Sequence, residues 1–272
     1  MEMSDLEINT VRFENKNVIL SIITVTKNDK NRLAITIGSL RYYYGNNKFE
    51  HIVMDGSTNE ETKLFLKKKC HENLRLVSEH DNGIYDAMNK GAQLAVGRFL
   101  LFLNCGDEMS APPEKVELWL SSLGIYDNLQ IACFCSLVRT GSNYTKLFPS
   151  IVWPYQLPTS HQAMVFTKEF IKHNPYNISY KIAADFDLYL KAEVNKTVIF
   201  SCDEPLTTIE SVGVASNNPF HSYKEYLKII SENLIGTLKW LALTRIGTKA
   251  LVVIALKCAL PSRWVQGLRK LN

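Results

Sequence analysis

Over the first hundred residues, short apolar runs alternate with stretches whose apolar positions recur at helical spacing. Residues 18–25 form a β-branched run apolar enough to lie in a sheet covered on both faces. It ends in Thr26-Lys27-Asn28-Asp29, where Asn28 or Asp29 can cap a helix carrying Leu33, Ile37, Leu40 and Tyr44 on one face. Residues 49–54 read as a second strand. Thr58 followed by Glu61 gives a capping-box pattern ahead of a helix with Leu64 and Leu66. Residues 74–78 read as a third strand, 84–96 as a helix and 98–103 as a fourth, doubly buried strand. Strand and helix alternating at this spacing predict a parallel, doubly wound sheet.

Further along, Pro112 and Pro113 open a helix that reaches residue 123, proline being tolerated in a first turn. Residues 130–166 are strand-like and irregular, with 153–158 as a loop and 163–166 as a short strand. A helix begins in 183–187 and runs through 194. Residues 197–201 and 206–209 are expected as two late strands, 211–219 as a small-residue linker, and 222–245 and 248–260 as apolar helices.

The polar residues at the strand ends form a pattern of their own. Thr26 and Lys27 follow the first strand, Asp55 and Ser57 the second, Asp81 the third, and Asn104 and Asp107 the fourth. In open α/β sheets ligands bind outside the carboxyl ends of the strands, so these groups predict one polar rim around a cleft. Asp107 is thereby a candidate carboxylate for a metal or phosphate site, although Asn-Cys-Gly-Asp is also an ordinary turn sequence. No Gly-rich fingerprint follows the first strand, which disfavours a dinucleotide-binding dehydrogenase and a sugar nucleotidyltransferase alike.

Composition changes the picture mainly at the C-terminus. The 272 residues carry a formal net charge of +4, too small to argue for nucleic acid, and six scattered cysteines with no metal-ligand spacing. The polar N-terminus does not read as a signal peptide, so a cytoplasmic chain with reduced thiols is expected. From Gly236 onward the charged side chains are Lys239, Arg245, Lys249, Lys257, Arg263, Arg269 and Lys270, without an acidic residue. These charges interrupt any membrane span, but in a continuous helix the first four occupy about a third of the circumference. An anionic membrane surface is the expected partner, a core-packing or dimer-forming helix pair the alternative.

Four segments in order, Ser21–Asn28, His51–Ser57, Asp81–Gly91 with its Gly83-Ile84-Tyr85-Asp86-Ala87-Met88-Asn89-Lys90-Gly91 core, and Phe102–Asp107, resemble family 2 glycosyltransferases. The likeness is strongest to the bacterial enzymes that build colanic acid, capsule and O-antigen, and it covers residues 18–216. It implies a GT-A fold, a Rossmann-like doubly wound mixed sheet. Residues 1–17 would be an extension, 18–107 a nucleotide-binding half, 108–216 an acceptor half, and 217–272 a helical tail. By position, Thr26 and Lys27 would line the base and ribose pocket. Asp55 would accept a hydrogen bond from base or ribose, with Ser57 beside it. Asp81, Asp86 and Lys90 would lie near the nucleotide and donor sugar. Asn104 to Asp107 stands where the family has its Asp-x-Asp metal motif, with Asp107 the metal-binding member. Asp185 stands where the family places its catalytic base, and His161 on the acceptor side would complete the metal shell or touch phosphate.

Three positions depart from the family pattern. Asn104 replaces the first aspartate of the metal motif, and Ala184 precedes the base where many relatives carry Glu; Lys27 also stands where an aromatic is usual. The chemistry still closes. Departure of a diphosphate leaves charge that a divalent Mg²⁺ or Mn²⁺ can stabilise, held by one carboxylate plus substrate oxygens and water. An inverting displacement needs a base near the acceptor hydroxyl and no enzyme nucleophile. The resemblance thus implies an inverting, metal-dependent transferase using a nucleotide-diphosphate sugar, expected to be a UDP-sugar, and a lipid-linked saccharide acceptor at the inner membrane face is expected with it. The alternative is a non-catalytic nucleotide-sugar-binding subunit of an assembly complex.

Overall fold

The computed structural model describes residues 7–8, 17–68, 71–124, 128–150, 156–210 and 218–259. The strand β1 (Glu7–Ile8) precedes β2 (Leu20–Thr26), α1 (Lys30–Ser39), β3 (Phe49–Asp55), α2 (Glu60–Lys67), β4 (Leu74–Ser78), α3 (Ile84–Leu94) and β5 (Phe99–Phe102). The second half holds β6 (Glu108–Met109), α4 (Pro113–Leu123), β7 (Leu129–Thr140), β8 (Asn143–Leu147), β9 (Met164–Thr167), α5 (Lys168–His173), α6 (Ala184–Val194) and β10 (Val198–Glu210). Two further helices follow, α7 (Pro219–Asn233) and α8 (Gly236–Ala259).

The strands form one sheet in the order β1-β4-β3-β2-β5-β9-β7-β10-β6, with β8 paired to β7. β4, β3, β2 and β5 are parallel neighbours, as the strand and helix alternation predicts. β9 then pairs antiparallel with both β5 and β7, so the sheet is mixed beyond the fourth strand.

Apolar runs without alternation are explained by burial on both faces. Leu100 and Phe102 of β5 join one core with α3, α5 and α6, while Phe99, Leu101 and Leu103 join the other with α4.

Several local expectations change. The expected late strands are one continuous β10, paired parallel with β7 through register shifts near Pro205. Thr58 does not cap α2; Asn59 does, accepting from the Thr62 amide at 3.0 Å, because Asn28 already holds the Thr58 amide at 2.9 Å. Residues 153–155 of the expected loop, 211–217 of the expected linker, and Arg263, Arg269 and Lys270 lie outside the described residues. The tail helices break at Gly236, whose φ is +64°, while Gly247 leaves α8 continuous. Ile229, Ile230 and Leu234 of this segment and Ala242 and Ile246 of α8 are buried in the same core as Phe186 of α6.

Candidate active site

Two groups of the expected residues assemble at the carboxyl ends of the central strands. The first surrounds the ends of β2 and β3. The Gly56 amide donates to the Thr26 carbonyl at 3.0 Å, and the Asn28 amide donates to Ser57 Oγ at 2.7 Å. Asn28 takes a φ of +55°, a left-handed conformation that Asn tolerates, and its side-chain oxygen accepts from the amides of Thr58 and Asn59. Asp55 is buried, its Oδ1 accepting from the Ser57 amide at 3.0 Å and its Oδ2 from Ser78 Oγ at 3.4 Å. Lys27 is exposed at the rim.

Asp81 leans against the Gly56 backbone. A Cβ at position 56 would lie 2.0 Å from Asp81 Oδ2, so only glycine lets the carboxylate approach. Its Oδ1 accepts from the Gly83 amide at 2.9 Å. Asp55, Gly56, Glu79, Asp81 and Lys90 line one narrow crevice. Asp86 lies in the first turn of α3 and accepts from the Asn82 amide at 2.9 Å, which with the nearby Lys90 ammonium holds its pKa below the usual carboxylate value. Lys90 stands 3.5 Å from both Asp86 and Glu79, an i, i+4 pair extended by a third charge.

The second group gathers β5, the turn before β9 and the start of α6. Asn104-Cys105-Gly106-Asp107 closes as a turn, the Asp107 amide donating to the Asn104 carbonyl at 3.0 Å. Thr36 of α1 fastens it: its hydroxyl accepts from the Gly106 amide at 2.9 Å and donates to the Asp107 carbonyl at 2.8 Å. Asp107 is only 4 % exposed and Oδ2 accepts from Gln162 Nε2 at 2.8 Å. Burial raises its pKa, opposed by the Gln162 hydrogen bond and by the charges of His161 and Arg32.

His161 joins this turn to Asp185. Its Nε2 meets Asn104 Nδ2 at 2.8 Å and its Nδ1 stands 3.4 Å from Asp185 Oδ2. The two ring nitrogens are thus engaged on opposite sides, Nε2 by the Asn104 amide and Nδ1 beside Asp185. Asp185 Oδ1 accepts from the Phe186 amide at 2.8 Å and lies 3.5 Å from the Tyr85 hydroxyl. The carboxylate is part-exposed. Asp187, two positions on in α6, is buried, with Lys191 Nζ 2.6 Å from Oδ2 and Asn233 Nδ2 3.3 Å from Oδ1.

The donors at the turn suit a divalent cation shared with substrate. Asn104 Oδ1 is buried without a partner, and beside it stand a buried carboxylate and an imidazole. Among the described residues no three His, Cys, Asp or Glu side chains converge to hold a metal alone, so diphosphate and water would supply the remaining ligands. Sequence reasoning passed over Thr36, Gln162 and Tyr85 as site residues; only Tyr85, inside the specific Asp81–Gly91 segment, carried a signal that could have found it.

Comparison with known proteins follows this geometry. The model for "Glycosyl transferase family 2" matches residues 21–179. An uncharacterised glycosyltransferase of Mycobacterium tuberculosis is 31% identical over 208 residues, 73% of this chain and 77% of the relative. A "PGL/p-HBAD biosynthesis glycosyltransferase" of Mycobacterium bovis is 25% identical over 217 residues, 76% and 78% of the two chains. Among solved structures, S. aureus TarS 1–349 in complex with UDP superposes with a TM-score of 0.63 at 15% identity, covering 90% of this chain and 76% of that one. The mannosyltransferase of Pyrobaculum calidifontis in complex with GDP-Man and Mn²⁺ gives 0.60 at 11% identity, covering 93% and 79%. At these identities the structural likeness establishes the fold, which is GT-A.

Proposed function

The chain belongs to glycosyl transferase family 2, and from that premise we propose that it transfers a sugar from a nucleotide-diphosphate donor, with inversion, onto a saccharide acceptor of the cell surface. The observation that carries this reading is the His161 bridge, which links a part-exposed carboxylate, Asp185, to the turn that would meet the donor's diphosphate.

The first group of residues would take the nucleoside. Thr26 and Lys27 flank its base and ribose, and the long Ser78 bond to Asp55 Oδ2 is the one a nucleoside donor would most readily replace. Asp81 and Lys90 line the crevice toward the sugar. Residues 18–107 would thus form the donor half and 108–216 the acceptor half.

Asp107, with Asn104 Oδ1, would hold a divalent cation, which when bound offsets charge on the departing diphosphate; His161, expected from the sequence to complete the metal shell, has its two ring nitrogens taken up by Asn104 and Asp185 instead. Asp185 accepts the proton of the attacking acceptor hydroxyl as the new glycosidic bond forms and the bond to the diphosphate breaks. His161 Nδ1, 3.4 Å away, and the Tyr85 hydroxyl, 3.5 Å away, flank that carboxylate.

A lipid-linked acceptor is supported by α8. No helix among the described residues is long and apolar enough to cross a membrane. Yet Trp240, Leu241, Leu251 and Val252 are exposed on one side of α8, within about a third of its circumference, and Arg245 and Lys249 border that face along one edge. Such a face suits an anionic bilayer surface. The M. bovis relative, whose name places it in PGL/p-HBAD biosynthesis, supports a surface-glycan role.

Calorimetric titration with UDP and with GDP, each with and without Mn²⁺, tests this reading. Metal-dependent binding of one nucleotide is expected; binding of neither would overturn it.

A further inference from the structure

α6 begins without a capping side chain of its own. Its N-cap is Ala183, followed by Ala184, and neither can accept a hydrogen bond through its side chain. The segment leading into it, residues 181–183, is held from α7 instead. Glu225 Oε1 accepts from the Lys181 amide at 2.8 Å, and Oε2 accepts from the amides of Ile182 and Ala183, each at 2.9 Å. Glu225 is itself 8 % exposed, and His221 Nε2 lies 3.2 Å from Oε1. A carboxylate taking three backbone N–H groups at a helix start is both charge-assisted and favoured by the helix dipole.

The held segment is the one that aims Asp185. The Ile182 carbonyl accepts from the Tyr85 hydroxyl at 2.6 Å, and that hydroxyl is 3.5 Å from Asp185 Oδ1. Lower on the same contact, the rings of Phe186 and Tyr226 stack at 4.4 Å, and Tyr180 donates to Glu232 at 2.7 Å. Glu225 therefore fixes both the start of α6 and the carbonyl that seats Tyr85.

We propose that Glu225 is a positioning residue for Asp185, so that α7, outside the matched segment 21–179, completes the active site. The proposal rests on Asp185 acting as base in the reaction proposed above. Removing the carboxylate leaves three amides without their acceptor and frees Asp185 to move relative to the acceptor hydroxyl. A displacement of about 1 Å costs on the order of 10²-fold in rate.

The test compares the full chain with Glu225→Gln, whose amide sets an N–H donor against a backbone N–H. Three quantities are read: kcat against KM, UDP affinity by calorimetry, and hydrogen exchange of the peptide spanning residues 181–183. Support is a kcat loss of about 10²-fold with unchanged UDP affinity and exchange faster by roughly 10-fold. Added to Asp185→Asn, Glu225→Gln would then lower turnover no further. Full kcat, or a kcat loss without faster exchange, overturns the proposal, as does a loss of UDP affinity and melting temperature in step with kcat. Should Glu225→Gln not fold, Glu225→Asp keeps the charge one methylene back: reduced kcat at intact UDP affinity supports the role and full kcat rejects it. Wild-type turnover retained in Asp185→Asn would instead sink the base assignment, while exchange would still report on Glu225.

Discussion

His161 turns its Nδ1 toward Asp185 Oδ2 at 3.4 Å, from a ring whose other nitrogen is engaged by Asn104. One imidazole thus sets the distance between the proton acceptor and the turn assigned to the diphosphate. Asp185→Asn should preserve this packing, since the amide can still meet His161 and Tyr85, but it removes the basic lone pair. Transfer should fall by about 10²- to 10⁴-fold with nucleotide affinity unchanged. Initial rates beside a UDP titration check it, and unchanged turnover would reject Asp185 as the base.

Asp107 should cost the metal-free protein stability at neutral pH. Its folded pKa is raised above the ordinary 3.8 by burial, so the unfolded chain ionises first as pH rises. Stability is then fully present below 3.8 and is lost as pH climbs through the raised folded value. Asp107→Asn should therefore melt higher than wild type at pH 7, the difference vanishing near pH 3. Mn²⁺ with UDP should raise the wild-type melting temperature and leave the variant unmoved. A variant that melts lower at pH 7 would remove the burial argument.

Gly56→Ala isolates the nucleotide side. The new Cβ would meet Asp81 Oδ2 at 2.0 Å, and the flexible carboxylate yields by swinging away and leaving the Gly83 amide. With Asp81 turned out of the crevice, the charged hydrogen bond it would make to the donor, about 1.5–3 kcal/mol, is lost, which predicts roughly 10-fold or more weaker UDP binding. Gly38→Ala, with nothing within 4 Å of its new Cβ on α1, is the control and should bind normally. Equal affinities in the two variants would show that Asp81 contributes nothing to the donor.

The parts of the fold that were legible in sequence are those with a local signal. β2 through β5 and their helices follow from apolar runs and caps, and polar groups at strand ends marked Asp55, Asp81 and Asp107 as candidate site residues. Contacts made across the fold left no such trace. Glu225 meets the amides of residues 181–183 from 42 to 44 positions away, and a glutamate on an amphipathic helix reads as solvated surface. Thr36 is a polar residue on the inward side of α1, interpretable only once the turn at Gly106 lies over it. Both the helix-pair packing and the exposed face expected of the tail are found in the C-terminal helices, because Ala242 and Ile246 face inward while Trp240 and Leu251 face out.

That division decides how membrane binding should be tested. Deleting α8 would strip Ala242 and Ile246 from the core that also seats Phe186, so lost binding and lost folding would coincide. Trp240→Ser with Leu251→Ser alters only the outer face, where the two side chains are 67% and 72% exposed. If each contributes about 1 kcal/mol or more on entering the headgroup region, the pair lowers partitioning into anionic vesicles by roughly 10-fold or more. Flotation with phosphatidylglycerol vesicles, repeated with phosphatidylcholine alone and at raised salt, reads the apolar and electrostatic contributions separately. Binding to anionic vesicles should exceed binding to neutral ones and weaken with salt, while turnover on a soluble acceptor stays at the wild-type value. A doubly substituted protein that floats as well as wild type would exclude this face as the contact.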